Sequence, residues 1–456
     1  MNKVVPAAVV VLLLGAGYLG ATAWAGKQTE ARYREQIDHA QARLPFVSIS
    51  EQKYDKHFFT STSTTTLQFG CPSSAGKPQP TATVTSTIRH GPIAGAAFAA
   101  AVIDTQVRIA GGNDDAQRLI AAFGTGAPLT AHTVLGFGGN ANSTVASPAA
   151  RVALGGGAEL DWQGLSGEVA STGEGQAMTY RMKSPGLTLE DPAHQASMHL
   201  GAVSVQGEGR AIAPGGMLTV GTAQGSLETL TIAGGTGPSQ FKAAFNGLAF
   251  TSATALDGEL VGGTSSFNGS GAVGDVKLDK IEMKMSLKRL HAPSYQRVME
   301  TFTKELYRCD TPTRTPDLAA LQAKIQGDLM TLLRHNPEMS IDRIAVESGG
   351  QTGELSYGFG VDGVSDADAN LPMPALLVAH ARAHAATRLP VAWLRQLSQT
   401  GAAKLQGSVP DPSTLDVMLD NFQTQGYVVR DGDYVKSEMT FARGAVTVNG
   451  KVLGAK

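Results

Sequence analysis

Short alternating runs broken by glycines dominate the middle of this chain and restrict its fold more than any other feature. From about residue 127 to 267, runs of Thr, Val and Leu are separated by Gly pairs, as in VALGGGAELDWQG, MHLGAVSVQGEG and GSLETLTIAGGTG. β-Branched residues favour strands, and glycines supply the turns between them. The runs have no fixed repeat length, so the pattern predicts an antiparallel meander of successive strands rather than a solenoid.

Strict alternation of apolar and polar residues marks further strands on both sides of this region. HFFTSTSTTTLQF and TATVTSTI flank a loop of turn residues and predict a long hairpin. Two later strands should each have one dry face, and together they give a candidate apolar face: Ile281, Met283, Met285, Leu287, Leu355, Tyr357 and Phe359. These side chains should point the same way if their strands share a sheet. The face is interpreted as core at most positions, partly covered by the helices of Tyr295 to Arg334, with a trough for lipid or a partner as the alternative.

Helical spacing replaces the strand period in the last third of the chain. Tyr295 to Arg308 and Asp317 to Arg334 predict a helical hairpin separated by prolines. A strand is predicted over Ala379 to Leu389, followed by helices over Val391 to Gln399 and Ser413 to Gln425. The predicted fold class is therefore mainly β (α+β), an extended and twisted antiparallel sheet or meander with a helical hairpin and further helices.

These patterns also predict how the chain is divided. The predicted segments are an N-terminal membrane anchor or signal peptide (1–26), a polar juxtamembrane helix (27–44), a Gly-rich antiparallel β region (45–291), a helical hairpin (292–337) and a C-terminal α+β region (338–456).

The run from Val4 to Gly26 contains no charge and is bounded by Lys3 and Lys27. At about 1.5 Å per residue it would give about 34 Å of helix, enough to cross a bilayer core. A cleaved signal peptide is the alternative, because small residues between Ala21 and Ala25 fit a cleavage site. The run is longer than the apolar region of a typical signal peptide, about 7–15 residues, and this favours the anchor. Under either interpretation the rest of the chain is exported.

Composition argues against a nucleic-acid partner and leaves open whether the two cysteines form a disulfide. Charged residues make up 17% of the chain and the formal net charge is −2, which argues against a nucleic-acid partner. The two cysteines, Cys71 and Cys309, form no CxxC pair and no cluster with histidine, so no zinc framework is visible. In an oxidising compartment they would either form one disulfide or remain two unrelated thiols.

Histidines are the other residues that suggest chemistry. His90 precedes a Gly-Pro turn, where an imidazole commonly bonds a nearby carbonyl, and we expect its replacement to perturb folding only slightly. His380 and His384 would suit a metal on a helix, but a strand separates them by about 13 Å. We therefore interpret them as part of a solvated face. GFGGN at Gly136 is interpreted as a strand turn. The sequence predicts no catalytic, metal or cofactor site.

The chain resembles the YdgA-like family of bacterial envelope proteins over nearly its whole length. The resemblance is carried by WAGKQTEARY, SEQKYDKHFFTSTSTTTLQF, RHGPI and the terminal GYVVRDGDYVKSEMTFARGAVTVNGK. In the family a basic residue and Gly usually follow the tyrosine, whereas Tyr54 is followed by Asp55, Lys56 and His57. The family is of unknown function and lies behind an N-terminal membrane segment in Gram-negative bacteria. The resemblance therefore implies a periplasmic location and no catalytic residues.

Together these features predict a single-pass protein of the bacterial inner membrane, held through Val4 to Gly26, with the bulk of the chain in the periplasm. We expect a non-enzymatic role in the cell envelope, by binding a partner protein or an apolar component such as lipid. The alternative is an enzyme that acts on envelope polymers. That enzyme would need two carboxyl groups about 5–9.5 Å apart in a cleft.

Overall fold

Antiparallel strands make up most of the fold, as the alternating sequence predicts. The computed structural model describes Glu30 and residues 47–69, 81–111, 114–124, 126–173, 175–213, 218–237, 240–306, 318–369, 371–399 and 412–453. Predictions for Val4 to Gly26, for the polar segment 27–44 except Glu30, and for Cys71 and Cys309 lie outside these residues. Among the helices built from the described residues, none combines the length and the apolar character that crossing a membrane requires.

The chain forms two compact units. The first contains Met1–Ala223, Ile232–Gln240 and Glu300–Leu321, and the second contains Gln224–Thr231, Phe241–Met299 and Gln322–Lys456. Fifteen strands belong entirely to the first unit: β1 (Val47–Lys56), β2 (Thr60–Phe69), β3 (Thr81–His90), β4 (Ile93–Ala94), β5 (Ala97–Phe98), β6 (Ala101–Ala110), β7 (Leu129–Leu135), β8 (Ala141–Ser147), β9 (Ala150–Ala153), β10 (Glu159–Trp162), β11 (Leu165–Thr172), β12 (Ala177–Ser184), β13 (Leu187–Asp191), β14 (Ala196–Leu200) and β15 (Val203–Ala211).

Helix α1 (Asp114–Ala122) also belongs to the first unit, and β16 (Thr219–Gly234) has residues in both units. Helices α2 (Ala292–Leu306) and α3 (Leu318–Arg334), which fall within the predicted hairpin, likewise have residues in both. The second unit holds β17 (Phe241–Asp257), β18 (Leu260–Val273), β19 (Val276–His291), β20 (Glu338–Ser348), β21 (Gln351–Val361), β22 (Ala381–Pro390), β23 (Val429–Asp431), β24 (Tyr434–Ala442), β25 (Ala445–Val448) and β26 (Lys451–Val452), with α4 (Met373–His380), α5 (Val391–Gln399) and α6 (Pro412–Gln425).

The first unit contains the predicted meander. Strands β1, β2, β3, β6, β7 and β8 pair in that order, all antiparallel, and β2 with β3 is the predicted hairpin. Beyond β8 the pairing continues as long strands that are each bent in the middle, so that β8–β11, β11–β12 and β12–β15 are continued by β9–β10, β10–β13 and β13–β14. Gly186 lies at one bend with φ of 146°, and a Cβ there would approach the Leu200 carbonyl oxygen to 2.4 Å. Glycine is therefore required at this bend.

The second unit contains an antiparallel sheet in the order β17, β18, β19, β20, β21, β22 and β24. Strands β23 and β25 pair with the other side of β24. A core of Val391, Leu419 and Val435 packs α5 and α6 against one end of this sheet. Because Val435 pairs with Leu389, the register fixes which face of the sheet these two helices cover.

Candidate functional site

The register of β19, β20 and β21 places all seven residues of the predicted apolar face on one side of the sheet. Leu287 pairs with Met339, and Met339 pairs with Phe359. In the next row Met285 pairs with Ile341, which pairs with Tyr357. The third row is Met283, Ile344 and Leu355, and Ile281 continues the face beside Val346. Directly paired side chains share a face, so these seven side chains lie on the same side of the sheet.

Two further strands extend this face and give it a groove. Phe359 and Tyr357 on β21 pair with the small residues Ala383 and Ala385 on β22. On the far side the same two alanines pair with Phe441 and Met439 of β24. The alanines therefore form a floor between two taller walls. Two strand spacings, about 9.6 Å, separate the wall backbones, which leaves room for one extended hydrocarbon chain. We call these six residues the β22 groove.

Three of the four wall residues, and Met339 beside them, are exposed although they are apolar. Met339 is 64% exposed, Phe359 49%, Met439 45% and Tyr357 44%. Full burial of one such side chain would stabilise the fold by about 1.5–3 kcal/mol. The exposed side chains of this face do not make that contribution. Contiguous exposure of large apolar side chains is typical of a binding surface. Sequence analysis did not identify Met339, Met439, Phe441 or the two alanines, although Met439 and Phe441 also alternate with polar residues.

Helices α5 and α6 cover one end of this face. Val435 packs under α5 and α6, and a Cβ on Gly353 would meet the Trp393 ring of α5 at 2.4 Å. The predicted helical hairpin was expected to cover part of the face. The described polar contacts of α3 run elsewhere, to α2 and to residues 366–369. They are Arg297 with Asp328 at 2.7 Å, Arg334 with Asp366 at 2.7 Å, and the Gln326 amide donating to the Ala369 carbonyl at 3.4 Å.

The opposite face of the sheet is charged, and its ion pairs are concentrated on Glu282. This carboxylate lies 3.2 Å from Lys280, 2.8 Å from Lys284 and 3.0 Å from Arg343. The two lysines lower the pKa of Glu282 to about 2. A concavity of about 560 Å³ lies over these groups, lined also by Asn246 and Asn268. A carboxyl group that remains ionised cannot act as the general acid of a glycosidase, so Glu282 does not suit that role.

His90 is held as a structural group at the end of β3. Its Nδ1–H donates to the Phe58 carbonyl at 3.0 Å, so Nε2 accepts from the Ser61 hydroxyl at 2.9 Å. Bonding to a carbonyl is what the Gly-Pro corner predicts. Ser61 is fully buried and His90 is 2% exposed, so a substrate could not reach this Ser–His pair. Gly91 completes the corner, because a Cβ there would lie 1.8 Å from the Ala99 carbonyl oxygen.

The expectation that His380 and His384 share one strand face is wrong. Pro372 and Pro374 begin α4, which ends at His380, so β22 starts one residue later. His380 Nδ1 donates to the Asp362 carbonyl at 3.0 Å, and Nε2 lies 3.2 Å from Asp368. His384 lies on β22, opposite Gly358. Gly136 closes the β7–β8 turn through a hydrogen bond to the Asn140 carbonyl, as predicted for GFGGN.

A second histidine cluster, which the sequence did not reveal, fixes the start of α2. His291 Nδ1 lies 2.8 Å from the Ser294 hydroxyl, and Nε2 lies 3.2 Å from Glu259. The ring stacks on His335 with centroids 4.3 Å apart. Ser294 is fully buried, so it is not accessible as a nucleophile. Within the described ranges, no group of three or more His, Cys, Asp or Glu residues could hold a metal ion.

The site that remains is the exposed apolar face with its groove, and the comparisons with known proteins attach no ligand to it. Neither a curated protein nor a solved structure matches the chain. One family model, described as a bacterial protein of unknown function (DUF945), matches residues 1–454. Because this match spans almost the entire sequence, the chain belongs to that bacterial family.

Proposed function

We propose that this protein is a membrane-anchored envelope protein that binds the hydrocarbon chain of an envelope lipid in the β22 groove, without catalysing a reaction. The observation that carries the proposal is the groove itself, with an alanine floor and walls of Tyr357, Phe359, Met439 and Phe441, three of which are 44–49% exposed. Membership in a bacterial family and resemblance to YdgA-like proteins support the envelope location. The uncharged run from Val4 to Gly26 supports the anchor and the periplasmic placement of the chain.

The side chains suit a flexible apolar ligand better than a folded partner. The face contains four methionines, Met283, Met285, Met339 and Met439, whose unbranched thioethers adapt to ligands of variable shape. The neighbouring strands place no charged residue within the three rows that define the face. A hydrocarbon chain laid along β22 would contact both walls. Specific polar recognition of a headgroup would have to come from residues at the ends of the groove.

Photo-crosslinking at adjacent positions of β21 tests the proposal. A benzoylphenylalanine at Tyr357 lies in a wall of the groove, and one at Ser356 reports on the charged face. Lipid adducts at Tyr357 and not at Ser356 are expected in membranes from producing cells. Equal labelling at both positions, no labelling, or protein adducts alone would contradict lipid binding.

A second test fills the groove. Ala385→Phe places a ring on the groove floor, whereas the matched variant Ala386→Phe places the same ring on the charged face. We expect A385F to reduce copurifying lipid by about tenfold, the effect of losing roughly 1.4 kcal/mol of contact. A386F should leave lipid unchanged. Lipid retention by A385F at the wild-type level would reject the groove as the binding site.

A further inference from the structure

Exposed aromatic side chains gather at three neighbouring strand ends of the first unit. Phe58 and Phe59 form the turn between β1 and β2 and are 46% and 50% exposed. Phe98 lies in the small β4–β5 hairpin with 80% exposure, and Ile93 beside it with 57%. Phe137 in the β7–β8 turn is 44% exposed. We call these five residues the aromatic tips.

Backbone hydrogen bonds show that the three turns lie at the same end of the sheet. The His90 amide donates to the Phe59 carbonyl at 2.9 Å, and the Gly91 amide donates to the Ala100 carbonyl at 2.8 Å. The Ala100 amide in turn donates to the Leu135 carbonyl at 2.8 Å, directly before the Phe137 turn. Phe98 and Phe137 touch, with ring centroids 5.3 Å apart. From β1 to β8 the tips span five strand spacings, about 24 Å.

The corner at His90 holds this edge rigidly. Its buried imidazole binds the carbonyl of Phe58, so the aromatic turn is tied to the end of β3. The four phenylalanine rings together expose on the order of 400 Å² of apolar surface. A patch of this size on a rigid edge is characteristic of an interaction surface. Aromatic rings at loop tips suit the boundary between bilayer headgroups and acyl chains.

One contact brings Glu30, which follows the uncharged N-terminal run in the sequence, to this edge. Glu30 pairs with Lys56 at 3.3 Å, two residues before Phe58. The uncharged run ends at Gly26, only four residues before Glu30. At most about 14 Å of extended chain joins Glu30 to the uncharged run. A membrane held by that run would therefore face this edge of the unit.

We propose that the aromatic tips insert into the interface of the membrane that holds the N-terminal run, as a second membrane contact of the first unit. The occupant is the lipid surface itself. This inference rests on the membrane attachment proposed above and does not depend on lipid in the β22 groove. Two weak contacts with one bilayer reinforce each other, because the first raises the local concentration of the second.

The test uses the full chain in vesicles of phosphatidylethanolamine and phosphatidylglycerol. Benzoylphenylalanine replaces Phe98 at the tips or Ala110 at the other end of β6, about 30 Å away and also exposed. We expect lipid adducts at Phe98 to exceed those at Ala110 by about tenfold, the partition that burial of one ring supports. Equal yields at the two positions, or none at Phe98, would overturn the inference.

A second readout guards against misfolded variants and separates this inference from the proposed function. Phe98→Trp changes a side chain that already lies in solvent. Brominated lipids should quench the fluorescence of the tryptophan introduced at position 98 and should not quench that of the tryptophan introduced by Ala110→Trp. Adducts at Phe98 with none at Tyr357 would support the tips and reject lipid binding in the β22 groove. Adducts at Tyr357 with none at Phe98 would reject the tips alone. Failure of the vesicles to float the full chain would reject both membrane attachment and the tips.

Discussion

At the residue scale, the clearest electrostatic feature is the lowered pKa of Glu282. The carboxylate is 12% exposed and lies between two lysines and Arg343. Its ionised form is stabilised in the folded chain, where the pKa is about 2 instead of 4.5. A carboxyl group whose folded pKa is depressed contributes stability above its unfolded pKa, and that stability disappears as the pH falls toward the folded value.

Glu282→Gln should therefore lower the free energy of unfolding by about 1–3 kcal/mol at pH 7, after allowing for the solvent-exposed lysines. The difference from wild type should shrink as the pH falls from about 4.5 to about 2, where wild-type Glu282 also becomes neutral. Urea unfolding across this pH range measures it. Glu228→Gln, at an exposed position of β16, is the control. A pH-independent difference would show that the ion pairs of Glu282 are not its cause.

His90 shows where burial changes a sequence-based expectation. A histidine at a turn suggested only a slight effect on folding, but its imidazole is 2% exposed and uses both ring nitrogens. His90→Ala should cost about 2–4 kcal/mol, since it leaves a cavity and deprives Ser61 and the Phe58 carbonyl of their partner. His132→Ala, which removes a half-exposed pair with Asp104, should cost under about 1 kcal/mol. Thermal unfolding of the two variants compares these effects, and similar costs would contradict this account.

At the element scale, strands with one polar and one apolar face were predictable from the sequence. Elements without alternating polar and apolar residues were not. The β2–β3 hairpin and the faces of β19 and β21 follow from period two alone. Helix α4 was missed because MPALLVAH is apolar on all sides and has no helical stripe to detect. The bends of the long strands were missed because they depend on close backbone contacts, such as that of Gly186 with Leu200, which only the fold shows.

The same limit applies to the site. Alternation placed seven residues on one face, but it could not show that two alanines of β22 would separate two walls. Register is set by long-range pairing and is invisible in a single strand. The aromatic tips were hidden for a related reason. Their residues lie far apart in sequence, and the hydrogen bonds that bring the turns together exist only in the folded sheet.

The packing of α5 on the sheet can be tested through Gly353. A methyl group at this position would lie 2.4 Å from the Trp393 ring, so Gly353→Ala should displace the ring and destabilise the fold by about 1–3 kcal/mol. Tryptophan fluorescence and urea unfolding report the two effects. Gly327→Ala in α3 is the matched control, because no atom outside its own stretch of helix lies within 4 Å of its new methyl group. That control should stabilise the helix by about 0.5–1 kcal/mol. Unchanged fluorescence in G353A would reject the close packing.

At the scale of the whole molecule, polar and apolar surfaces are sorted between the two faces of one sheet. The second unit concentrates ion pairs around Glu282 on one face and leaves the β22 groove open on the other. An antiparallel sheet with one solvated face ordinarily packs its other face into a core. Here α5 and α6 cover only the end near Val435. The exposed side chains Tyr357, Phe359 and Met439 are the feature that an apolar ligand would cover, and they are the physical basis of the proposed function.

The proposal for the whole molecule requires that the N-terminal run remains attached. Val4 to Gly26 exceeds the 7–15 apolar residues typical of a signal peptide, and its uncharged length matches a bilayer core. We therefore expect protein extracted from bacterial membranes to have the mass of a chain that retains residues 4–26. Intact-mass spectrometry measures this directly.

Replacing Leu13 with Arg provides the matched variant, because a charge at the centre of a span costs about 2.5–3.5 kcal/mol and should reduce membrane recovery. A mature chain that starts near Trp24 or Gly26 would show cleavage and would contradict the anchor. Attachment of the first unit would then depend on the aromatic tips alone, and the Phe98 variants would measure how much of it remains.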